Sequence, residues 1–203
     1  MLKELFRKTT DIVFVNLLWM LVSFLGILIT LGAATTAMFS VTFQILKKNE
    51  PTNVLHQFIQ SFKENFVIST LVWLSILAVG IPLYMMFNYA INTDQMVLLI
   101  IGIVGGYQLL MFTIFVFPVI SRFKTETNRQ LLKNVLLLSN MNLWTNFKLI
   151  GSLAFVVLLI VFVHEMMILI GIGFYGILVS FHLNKLFEPY LMQFRSIEDE
   201  EGN

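Results

Sequence analysis

Residues 100–123 read IIGIVGGYQLLMFTIFVFPVISRF. From Ile100 to Phe117 this run is apolar except for Tyr107, Gln108 and Thr113. It then meets Pro118, Ser121 and Arg122, the first cation of a basic segment. A run of about 18 or more such residues reads as a membrane-spanning helix, and the cation marks its cytoplasmic end. The same plan of apolar span, basic surface segment and apolar span occurs on both sides of the middle of the chain.

Composition points the same way. The 203 residues are 58% hydrophobic and 12% charged, with a mean hydropathy of +0.84. Soluble domains carry roughly 25% charged residues, so a water-soluble globule is excluded and a single compact polytopic domain over 1–203 is expected. A net charge of +1 gives no reason to expect a nucleic-acid partner. With no cysteine, disulfides and thiolate metal sites are ruled out.

Working outward, spans are expected at about 12–31, 34–46, 66–89, 96–121, 146–163 and 166–187. The basic amphipathic start (Lys3, Arg7, Lys8) resembles a signal peptide, but the following apolar run is too long for one. An uncleaved first span is the expectation. Span 2 reaches only about 20 Å and carries Thr35, Thr36, Ser40, Thr42 and Gln44. It reads either as a short crossing or as a re-entrant segment, and Lys47-Lys48 favour the crossing.

Two amphipathic helices are expected in the membrane interface, at about 52–65 and 127–140. Asn49-Glu50-Pro51 signals the start of the first and Thr127-Asn128-Arg129-Gln130 caps the second. Kinks are expected near Pro82 and Pro118, and residues 197–203 read as a disordered tail. In this six-span arrangement all 13 Lys and Arg fall on one side, which makes both termini cytoplasmic. Thr52-Asn53 and Thr127-Asn128 occupy matching places, so spans 2–3 and 4–5 form a parallel repeat in plan, with poor residue identity.

Few motifs carry chemistry. Gly171, Gly173 and Gly176 match G-x-G-x-x-G but lie inside a span, where close helix packing is the expected role and no cofactor follows. Gly102 and Gly106 read as intra-chain packing or as a homo-oligomer contact. His56, His164 and His182 lack metal-ligand spacing; His164-Glu165 reads as a solvated turn. No intramembrane ionisable group sits at mid-depth, which argues against an enzyme or an ion-coupled pump. The polar candidates are Asn16, Thr30, Thr35, Thr36, Gln44 and Gln108. They serve either as inter-helix glue or as a polar groove, between spans 1 and 2, for a small solute or a partner helix. Phe58, Phe62, Lys63, Arg122 and Arg129 are candidates for interfacial docking, and Arg122 pairs either with lipid phosphate or with a partner.

Four stretches carry a family likeness. They are Asn16-Leu17-Leu18-Trp19 with Thr30–Ala37, Pro51–Phe66, Phe117–Phe123, and Phe187-Glu188-Pro189-Tyr190. In this order they resemble the YesL family of bacterial membrane proteins. Prolines common in the family near Leu25 and Ala33 are absent. The resemblance implies a bacterial plasma-membrane protein associated with carbohydrate uptake. It further implies an accessory role beside a sugar ABC permease or its sensor kinase; the alternative, a small-solute channel or carrier, rests on the polar lining of spans 1 and 2.

Overall fold

The computed structural model describes residues 2–26, 29–47, 53–123, 128–163 and 167–201. Among them are seven helices and no strand: α1 (Leu2–Leu25), α2 (Leu31–Leu46), α3 (Val54–Asn92), α4 (Met96–Arg122), α5 (Asn128–Met141), α6 (Leu143–Phe162) and α7 (Ile168–Glu201). The protein is all-α, and α1, α3, α4, α6 and α7 are long and apolar enough to cross a membrane. Every helix contributes to one core, from Val15 of α1 to Phe187 of α7.

The centre of that core is the short helix. At 16 residues, α2 spans only about 24 Å, yet Gly32, Ala34, Thr36, Ala37, Met38, Phe39, Val41, Thr42 and Phe43 are all buried. It touches α1, α3, α4 and α7. A helix enclosed by protein need not match the hydrocarbon thickness, because its neighbours and not lipid solvate it. Small side chains bring those neighbours close. A Cβ on Gly32 would collide with the Ser69 carbonyl and lie 2.7 Å from Trp73 Cβ, so α2 and α3 cross here almost backbone to backbone.

The first span ends earlier than the hydropathy implies. Gly26 closes α1, its N–H donating to Val22 O at 3.0 Å, and the Thr30 hydroxyl donates to the same carbonyl at 2.9 Å. The helix α2 therefore starts at Leu31, three residues before the expected 34. At the other end of α1, Lys8 pairs with Glu4 at 3.2 Å and its hydrogen bond holds that carboxyl below the ordinary value.

The expected interfacial helix 52–65 and span 66–89 are one continuous helix, α3, 39 residues long. Its start is capped by Asn53, whose side chain accepts the His56 N–H at 3.1 Å. The polar stripe through Lys63 and Glu64 changes the helix's surroundings, but the segment contains no residue that breaks a helix. Phe58, Phe62 and Phe66 stack along it, with ring centroids 6.5 and 5.4 Å apart. The Asn49-Glu50-Pro51 signal lies outside the described residues. Both α3 and α4 also continue as helices through Pro82 and Pro118, where kinks were expected.

A tight turn joins α3 to α4. Asp94 takes a left-handed φ of 51° and Gln95 N–H reaches back to Ala90 O at 3.0 Å, the hydrogen bond of a Schellman cap. Near this turn the two helices pack along one seam: Phe87 fills the space over Gly102 and Leu83 that over Gly105. The other sides of this half, including Val79, Ile81, Ile100 and Val104, are exposed. Only the second half of α4, from Met111 to Ile120, enters the core.

The second amphipathic helix, α5, begins at Asn128, and Thr127 of the expected cap lies outside the described residues. Leu131, Val135 and Leu138 are buried. Asn142 alone separates α5 from α6. The bend is held by Asn146, which donates to Ser139 O at 2.6 Å, satisfying one of the carbonyls a helix end leaves open. The last helix differs most from expectation. Through Pro189, α7 continues to Glu201. Residues 197–201, expected as disordered tail, are helical.

Candidate functional site

Polar side chains converge where helices cross α2, and nearly all find partners. Asn16 is buried in α1; its amide oxygen accepts Gly173 N–H of α7 at 2.7 Å, and its nitrogen donates to Ile168 O at 3.5 Å. Trp19 donates to the Thr35 hydroxyl at 3.0 Å, and Thr35 donates in turn to Leu31 O at 2.7 Å. Thr36 pairs with Ser69 of α3 at 2.8 Å, and Thr42 with Ser180 of α7 at 2.7 Å. Lower on α2, Ser40 accepts the Gln57 amide at 2.7 Å.

The bonds of Asn16, Thr30, Thr35 and Thr36 point to different neighbours instead of lining one groove. Successive positions on a helix point about 100° apart, so Thr35 meets α1 while Thr36 meets α3. Thr30 closes the α1–α2 turn. Gln44 is half-buried near the end of α2, and Gln108 is half-buried on α4. Sequence reasoning missed the partners Ser69, Ser180 and Gln57. A lone serine in an apolar helix was the available signal, since such hydroxyls bond across helices.

The three glycines of α7 each receive a different helix. A Cβ on Gly171 would meet Ile160 of α6 at 3.2 Å, on Gly173 Ile12 O of α1 at 2.7 Å, and on Gly176 Met38 of α2 at 3.1 Å. The G-x-G-x-x-G pattern is a packing device, as expected. Among the described residues no cluster of three metal-ligating side chains exists.

The docking candidates split. Phe58 is fully buried and Phe62 packs on the core, so both face inward against α2 and its neighbours. Arg122 is partly buried at a corner of α2, α4 and α7. Its guanidinium lies 5.4 Å over the Phe43 ring, and Phe187 sits 6.0 Å from Phe43 and 5.1 Å from Phe123. Lys63 and Arg129 are exposed. Each borders an open apolar groove: one of about 470 Å³ beside Leu55, His56 and Ile59, the other of about 610 Å³ beside Leu132, Leu136 and Met141.

Contacts therefore tie together residues that carry the family likeness: Trp19 with Thr35, and Phe123 with Phe187. Residues 12–87 match the family described as "Protein of unknown function, DUF624". Over 114 residues, 56% of this chain and 54% of the relative, the sequence is 29% identical to "Uncharacterized protein YesL" of Bacillus subtilis (strain 168). Over that stretch the chain is similar to YesL. It spans about half the length of the curated relative it matches, and no solved structure matches it. The segment 12–87 that matches the family model begins in α1 and ends in α3. It holds Asn16, Trp19, Gly32, Thr35, Thr36 and Ser69, so the α1–α2 and α2–α3 crossings fall inside the match, while the α4 and α7 sides of α2 lie outside it.

Proposed function

We propose that this protein is a non-catalytic, multi-pass accessory of the bacterial plasma membrane, with both termini cytoplasmic. In this reading it works by helix contact with a carbohydrate ABC permease or its sensor kinase. The observation that carries the reading is the pairing of Thr36 with Ser69 and of Thr42 with Ser180. Hydroxyls engaged with one another rigidify a scaffold and are not held open for a solute. The surfaces left for partners are apolar: the exposed sides of the α3–α4 hairpin and the grooves beside Lys63 and Arg129. The link to carbohydrate uptake comes from the family likeness. Recovery of the protein with permease or sensor subunits in mild detergent tests it. Stable co-purification is the expected result. Autonomous sugar flux in liposomes holding the protein alone would instead establish the carrier reading.

A further inference from the structure

A basic cluster lies apart from the crossings, on the face shared by α6 and α7. The two helices are antiparallel neighbours, and Phe155 meets Phe174 with ring centroids 6.5 Å apart. Two turns from that contact along each helix, roughly 11 Å, stand Lys148 and His182. Both Lys148 and Lys185 act electrostatically on His182. Each lysine lies over the aromatic ring one turn before it, Lys148 5.6 Å from Trp144 and Lys185 5.3 Å from Phe181. The lysines are exposed. Among the described residues neither forms an ion pair, including with Glu188 one turn along α7.

The surroundings identify the missing counter-charge. Trp144 is 74% exposed and Phe147 73%, and both stand in the first turns of a helix long and apolar enough to cross a membrane. Exposed aromatics at such a place sit at the headgroup level. Two ammonium groups held there by cation–π contacts, with no carboxylate among the described residues paired to them, complement the phosphate of an anionic lipid. We propose that Lys148, His182 and Lys185 form a binding site for an anionic phospholipid headgroup, with Trp144 beside the headgroup and Phe181 flanking the glycerol and upper acyl region. The site is separate from the proposed partner surfaces and stands whether or not a permease binds.

Quenching of Trp144 by lipid bromine tests this on the whole protein in nanodiscs. Brominated phosphatidylglycerol is diluted into unbrominated phosphatidylcholine, and the mirror mixture serves as reference. The W144F variant isolates the Trp144 signal from Trp19 and Trp73. The expected result is stronger quenching by the anionic lipid at equal mole fraction. The preference should fall about fivefold for each lysine replaced in K148Q and K185Q, persist in K148R/K185R, and weaken as salt is raised. Salt dependence in the unaltered protein keeps the test decisive should a glutamine variant misfold. Equal quenching by both lipids overturns the proposal, as does a preference insensitive to salt or to the paired glutamines. A dimer that shields this face and abolishes any lipid preference would assign it to a second copy, and equally overturn the proposal.

Discussion

The side-chain oxygen of Asn16 and the backbone N–H of Gly173 meet at 2.7 Å, although 157 residues separate them along the chain. This one amide ties the first helix to the last, at the point where a Cβ on Gly173 would already crowd Ile12 O. Glycine and asparagine act together here: the first admits α1 to the backbone of α7, and the second uses the approach to bond it.

Asn16→Leu should therefore lower stability by about 1–3 kcal/mol, the cost of leaving a buried donor without its acceptor. Thermal unfolding in detergent measures it. An unchanged midpoint would mean that the Gly173 N–H is served equally well within its own helix.

Gly32→Val should be more damaging than a typical surface change. Its side chain has to displace the Ser69 carbonyl or the Trp73 Cβ, and overpacking of this kind costs about 1–3 kcal/mol. The prediction is a lower unfolding midpoint, and rescue by shrinking Trp73 is not expected, since backbone stands in the way.

The Thr36–Ser69 contact invites a double-mutant cycle. Thr36→Val and Ser69→Ala should each destabilise, with a coupling near 0.6 kcal/mol, as for polar pairs between membrane helices. A coupling indistinguishable from zero would remove the pair from the list of forces holding α2 to α3.

Arg122→Lys should not be neutral. The planar guanidinium stacks on Phe43 in a way an ammonium does not reproduce. A loss of about 0.5–2 kcal/mol is expected, and Phe43→Leu should abolish the difference between arginine and lysine. Unfolding midpoints of the four combinations give the answer.

Much of this was legible in the residues. Apolar runs specify helices and membrane, and glycines inside a span specify close approach. Which helix lies in the middle was harder to read. Hydropathy does not distinguish a side chain facing lipid from one facing protein, since both are apolar, and residues 100–123 looked the more central for that reason. The better clue was the small and hydroxylated composition of α2, suited to a helix that meets protein all round. Phe58 and Phe62 show the same ambiguity: an apolar stripe on an amphipathic helix fits a membrane surface or a neighbouring helix, and here it packs inward. The join at Phe66 was misread because a change of polarity marks a change of surroundings, which hydrogen bonding along a helix ignores.

The claim on which the rest depends is that protein encloses α2 on several sides. The chain has no cysteine, so introduced pairs report without background. In native membranes Thr36→Cys with Ser69→Cys, and Thr42→Cys with Ser180→Cys, should both form disulfides on mild oxidation, since their hydroxyls lie 2.8 and 2.7 Å apart. Failure of both pairs to close, with the cysteines at 36 and 42 reacting readily with a lipid-soluble probe, would contradict it.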